Sequence, residues 1–149
     1  MLAKPEQCVG CAFYRIGKGY VPGAGPLNAV VAALGQSPGA TEIATGKPFH
    51  PKAPSGRLLT TWLDLTGFPR ETVWIDNSIR CLITNPEDGK DEAPLAAIQE
   101  CQRRHWGPQL RNLPFLRAVI TLGVPATWPF LPWASARTAG TFNLVDVEI

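Results

Sequence analysis

Residues 28–49 read Asn-Ala-Val-Val-Ala-Ala-Leu-Gly-Gln-Ser-Pro-Gly-Ala-Thr-Glu-Ile-Ala-Thr-Gly-Lys-Pro-Phe, an apolar run that closes on a turn rich in glycine and proline. The run Ala29 to Leu34 is apolar without alternation and stops at Gly35-Gln36-Ser37-Pro38-Gly39. Such a run, closed by glycine and proline, predicts a strand buried on both faces that feeds a tight turn. In open α/β sheets that turn is where ligands bind.

Elements on either side agree with a strand–helix alternation. Leu58, Leu59, Trp62, Leu63 and Leu65 fall at helical spacing between Ser55, a plausible cap, and Gly67, a stop. A second strand is expected from Thr72 to Arg80, a helix from Leu95 to Leu113 and a third strand from Phe115 to Gly123. Between them Leu82 to Pro94 reads as a loop; Val124 to Leu131 begins a short helix, and Phe142 to Ile149 alternates as a last strand. The expected fold is therefore α/β, a three-layer α/β/α sandwich around a short, mainly parallel four-stranded sheet. Its strand ends, after Leu34, near Asn77 and after Leu122, converge on one crevice.

The chain has 149 residues, 45% of them hydrophobic, which suits a single domain over 1–149 able to bury a core without disulfide staples. Fourteen basic and twelve acidic residues leave a formal charge of +2, which neither requires nor excludes a nucleic-acid partner. The 15 prolines and 14 glycines are spread between apolar segments, as expected of many tight loops. The N-terminus lacks the apolar core of a secretion signal, and no run approaches a membrane span, so a soluble, cytoplasmic protein without a membrane partner is expected.

That compartment bears on the four cysteines, because a reducing environment disfavours structural disulfides. Cys8-Val9-Gly10-Cys11 opens the chain, Cys81 follows the second strand and Cys101 lies in the next helix. The first pair can turn toward one metal centre or remain free thiols near a terminus. Phe49, between Pro48 and the His50-Pro51 pair, suits a stacking platform or a core corner. Asn77 suits either polar recognition or a hydrogen-bonded turn. The cluster Arg103-Arg104-His105-Trp106 suits phosphate contact or, more commonly, a solvated face.

Taken together, the cysteine order resembles the iron-sulfur branch, families four and five, of the uracil-DNA glycosylase superfamily. The resemblance extends through Val21-Pro22-Gly23-x-Gly25, Gly35-x-x-Pro38-Gly39, Gly46-x-Pro48-Phe49, Gly56-x-x-Leu59, Asn77-x-x-x-Cys81 and Leu122-Gly123 with Ala126. It implies a 4Fe-4S cluster on Cys8, Cys11, Cys81 and Cys101, with structural zinc as the alternative, since both accept four thiolates. The cluster would tie an N-terminal cluster-binding extension onto the DNA-facing side.

The resemblance further implies base flipping and hydrolysis of the uracil–deoxyribose bond. Phe49 would stack on the base, Asn77 would read its amide edge, and backbone amides at Gln36 and Ser37 would face a carbonyl. Two departures stand out. Family-four proteins carry glutamate where this chain has Gln36, and the superfamily members with glutamine there follow it with aspartate where this chain has Ser37. General-base work worth roughly 10²- to 10⁴-fold would then rest on other groups. Gln36 and Glu42 are the catalytic candidates, Glu42 matching an acidic position of the family-four motif. The family's His-Pro segment after the fourth strand has no counterpart before Ile149, and neither His50 nor His105 stands in that context.

Two functions are therefore expected as alternatives. One is a slow DNA glycosylase acting on uracil or a related base. The other is a non-catalytic iron-sulfur protein, a pseudoenzyme, that binds single- or double-stranded DNA beside a protein partner in a replication or repair assembly.

Overall fold

The computed structural model describes residues 1–133, 137–139 and 142–146, with side chains described through Phe130. The opening run forms β1 (Val31–Gly35), with every residue buried. Its side chains alternate between two cores, as strand geometry requires. Ala32 and Leu34 join Trp74, Val119, Ile98, Trp106 and Leu110 on one face. Val31 and Ala33 join Ile75, Phe49, Leu59 and Leu63 on the other. Coverage on both faces is why the run shows no polar alternation in sequence.

After β1 come α1 (Ala40–Thr45), α2 (Pro54–Leu65) and β2 (Trp74–Asn77). Next are a two-stranded ribbon of β3 (Ile83–Thr84) and β4 (Asp91–Glu92), then α3 (Leu95–Cys101), a π-helical turn (Gln102–Trp106) and α4 (Gly107–Arg111). The chain closes through β5 (Ala118–Leu122), α5 (Val124–Thr127), β6 (Arg137–Ala139) and β7 (Phe142–Asp146). The sheet order is β2-β1-β5-β7-β6. β1 pairs in parallel with both β2 and β5, so the chain leaves β1 to one side and later returns to its other side. The carboxyl end of β1 is thus the topological switch point, where a crevice opens.

The α/β class, the layering and the parallel centre agree with expectation. The rim differs, because β7 runs antiparallel to β5 and β6 adds a fifth strand as its hairpin partner. Of the last expected strand, 147–149 lie outside the described residues.

Local boundaries also move, each for a physical reason. α2 starts at Pro54 in the first turn, with Ala53 as N-cap in place of Ser55; proline fits there because its missing N–H would have no partner anyway. The helix does stop at Gly67, which adopts φ 76° while Phe68 N–H donates back to Leu63 O at 3.0 Å. β2 ends at Asn77, earlier than expected, because Ser78 and Ile79 turn across the end of β1 and donate to Gly35 O (2.7 Å) and Gln36 O (3.1 Å). The expected helix from Leu95 to Leu113 is interrupted by the π turn: Pro108 has no N–H for the carbonyl four residues back, and Gly107 N–H bonds instead to Gln102 O. The segment Ala40 to Thr45, polar in sequence, is a short helix, its start marked by Gly39 and its end by Gly46 in the left-handed region.

Candidate functional site

At the switch point Gly35 stands opposite Asn77 in the β1–β2 register. A Cβ on Gly35 would lie 2.5 Å from Phe49 Cε2 and 2.6 Å from Asn77 Oδ1. Only a residue without a side chain lets an aromatic ring and an amide meet over the strand end.

Phe49 is buried and holds φ 47°, a left-handed conformation that is strained for a bulky residue. Its backbone is gripped from both sides. Glu42, buried in α1, accepts one hydrogen bond from Phe49 N–H and another from Gly39 N–H at 2.7 Å. Arg70, in the turn before β2, donates to Pro48 O (3.0 Å), Phe49 O (2.6 Å) and Thr60 Oγ1 (3.3 Å). Burial pulls the Arg70 guanidinium below its ordinary pKa, with the Glu42 carboxylate acting in the opposite sense.

Asn77 is 1% exposed, and neither Oδ1 nor Nδ2 has a hydrogen-bond partner among the described residues. Each buried polar atom left without a partner costs about 1–3 kcal/mol, so an amide with two such atoms calls for an explanation. Near it, at the ends of β1 and β5, opens a cavity of about 460 Å³. Gln36, Ser37, Glu42 and Phe49 line it together with Leu58, Leu59, Trp62 and Leu122. Four of the five residues expected around a base therefore share one cavity. Asn77 borders the same strand end behind Gly35 and is not a wall of the cavity itself.

The four cysteines gather at a second cavity. Cys8 ends a 3-10 turn (Glu6–Cys8), Cys11 follows it, Cys81 lies just past the turn after β2 and Cys101 ends α3. All four thiols are free and partly buried. Burial pushes Cys81 up to about 11 and Cys101 up to about 12, and the neighbouring sulfurs add to the shift. Cys8 is also raised, first by burial and then by Cys11, against Lys4, Arg104 and Arg80. Thiols so placed ionise when a metal centre supplies the balancing charge. A Cβ at Gly17 would overlap the Cys81 sulfur and lie 3.0 Å from its Cβ, so that loop passes tightly against the donor set.

Among the described residues no three His, Cys, Asp or Glu side chains converge on a single-ion position. A zinc ion requires its sulfurs to meet about 2.3 Å from one point. A cubane cluster carries its thiolates at separate corners. The donor set is four thiols lining one cavity, a set that both a cluster and a zinc ion accept.

One short segment joins the two sites. Asp76 precedes Asn77 and Arg80 precedes Cys81, and the two form a buried ion pair at 2.5 Å. Arg80 also donates to Tyr20 Oη (3.1 Å) and to Gln109 Oε1. Ser78 O accepts from Trp106 Nε1 at 3.0 Å, which anchors the segment to the core. Trp106 and His105 are thus interior, while the phosphate-facing alternative for this cluster retains only Arg103, which pairs with Glu100 at 3.0 Å.

Sequence reasoning missed Arg70. It follows Pro69 in a polar turn and carries no periodicity or motif, so its reach across to Pro48 and Phe49 is visible only in three dimensions. Gly35 reads in sequence only as a strand stop, and its role in admitting Phe49 beside Asn77 depends on the same long-range packing.

Residues 22–143 match the family model described as the uracil DNA glycosylase superfamily. Three type-4 uracil-DNA glycosylases illustrate the relationship. The chain is 35% identical over 92 residues to that of Saccharolobus solfataricus, covering 61% of this chain and 42% of the relative. It is 34% identical over 95 residues to that of Archaeoglobus fulgidus, covering 64% and 45%. With that of Sulfurisphaera tokodaii it shares 31% over 122 residues, covering 81% and 52%. The chain thus spans about half the length of the curated relatives it matches.

Proposed function

Because this chain belongs to the uracil DNA glycosylase superfamily, we propose that it binds DNA and takes uracil, or a related deaminated base, into the cavity at the end of β1. The observation that carries this reading is the buried, unpartnered amide of Asn77 beside the constrained ring of Phe49. A flipped pyrimidine beside Phe49 presents a donor and an acceptor on its edge, the complement of what Asn77 Oδ1 and Nδ2 lack, and to meet them that edge must reach past the cavity wall to the amide beside Gly35. Ser37 and the backbone at Gln36 border the cavity where a base carbonyl would lie.

Hydrolysis breaks the bond between C1′ and the base nitrogen. The bonding electrons leave with the base, water adds to C1′ and the water gives up a proton. Gln36 can orient that water through its amide but cannot accept the proton. Glu42 is the nearest acid and contributes negative charge beside the developing sugar cation. Its two oxygens are already engaged by backbone N–H groups, so its larger role is to hold Phe49 in place. Slow excision is the expected result. The same two features favour the second reading, a non-catalytic DNA-binding protein of a replication or repair assembly.

Cys8, Cys11, Cys81 and Cys101 would hold a 4Fe-4S cluster, which supplies a covalent crosslink between the N-terminal segment, the end of β2 and α3. Among the described residues no helix is long and apolar enough to cross a membrane. Single- and double-stranded oligonucleotides carrying one uracil or one thymine test the proposal, scored for binding and for abasic product.

A further inference from the structure

The π turn between Cys101 and Gly107 does more than interrupt a helix. Pro108 withholds an N–H, and at Gly107 a Cβ would lie 2.5 Å from Gln102 O, so the wide turn depends on the Gly107-Pro108 pair. Its consequence is where Arg104 and His105 point. Arg104 Nη1 donates to Gln7 O and Val9 O, both at 3.0 Å, and thereby grips the backbone on either side of Cys8. Glu100 orients the same guanidinium, with Oε2 2.5 Å from Nε. His105, 6% exposed, brings Nε2 to 3.3 Å from Cys8 Sγ and packs its ring 5.6 Å from that of Tyr20.

We infer that His105 donates an Nε2–H hydrogen bond to the Cys8 sulfur when that sulfur is a cluster ligand, with Arg104 holding Cys8 in register for it. The inference rests on the cluster reading given above. A ligating thiolate has lost its proton and can only accept, so the donor must be the ring nitrogen. Hydrogen bonds to ligand sulfur withdraw electron density and raise a cluster's reduction potential. His105 is therefore a tuning and positioning residue of the metal centre, distinct from the base cavity.

The test uses the full chain reconstituted with iron and sulfide. Direct electrochemistry should show a more negative potential for His105→Phe than for wild type, with His105→Gln, which keeps a donor, closer to wild type. Equal potentials in all three would overturn the inference. A second measurement needs no change at position 105. In loaded His50→Gln protein, which retains His105 as its single histidine, the nitrogen-15 shift of Nε2 should be that of a protonated ring nitrogen. An unprotonated Nε2 would overturn the inference even if His105→Phe fails to fold. Wild-type protein that takes up no iron and sulfide would overturn the cluster reading itself and this inference with it.

Discussion

Asp76 and Arg80 face each other across one turn, with side-chain exposures of 0% and 2%, and their ion pair lies in the short segment that runs from the end of β2 to Cys81. Asp76 Oδ1 also accepts from Arg80 Nε at 3.1 Å and from the Asn77 backbone N–H at 2.8 Å, so one carboxylate orders both the backbone at the end of β2 and the approach to Cys81. Removing one partner leaves a buried charge. Arg80→Met or Asp76→Leu should lower unfolding free energy by about 3–5 kcal/mol. The double variant Asp76→Leu, Arg80→Met should lose much less than the sum. Urea denaturation measures both, and additive losses would show that the pair does not act as a unit.

Asn77 offers the opposite sign. Its side-chain amide lacks partners, so Asn77→Leu should leave stability unchanged or raise it by about 1–3 kcal/mol. Preference for uracil over cytosine, whose edge reverses the donor and the acceptor, should disappear in the same variant. A marked loss of stability would instead make Asn77 a structural residue.

Phe49 depends on its clamp. Glu42→Gln replaces one accepting oxygen with an NH₂ that faces a backbone N–H, which should cost about 1–3 kcal/mol of stability. Phe49→Gly relieves the left-handed strain and deletes the stacking surface. Base–aromatic stacking is worth about 1–3 kcal/mol, so its affinity for uracil-containing DNA should fall by about tenfold for each 1.4 kcal/mol lost. Fluorescence anisotropy with labelled oligonucleotides measures the change.

Gly17 tests the proposed metal centre without changing any of the four cysteines. Gly17→Ala places a methyl group against Cys81, and iron content per chain should drop while far-UV circular dichroism remains that of wild type. Undiminished iron would mean that Cys81 has room to move or does not ligate.

Much of this was legible in one dimension. The unbroken apolar run to Leu34 announces a strand covered on both faces, and the cysteine order anticipates one shared cavity. Phe49 and Asn77 were legible as candidates, each with a plainer alternative, because the contact between them is made only by packing at Gly35. The ribbon of β3 and β4 escaped notice, since two-residue strands carry no period. The π turn hid in an otherwise helical pattern, although Gly107-Pro108 was its signal. Arg70 had none, because the Pro48 and Phe49 carbonyls that it grips lie more than twenty residues away in sequence.

The most direct measurement incubates iron–sulfide-reconstituted protein with oligonucleotides that differ only in one uracil or thymine, and follows binding and abasic-site formation together. Tighter binding to the uracil strand, with slow abasic product that Asn77→Leu abolishes, is the expected result. Equal binding to both strands and no product would contradict a base-binding cavity at the end of β1.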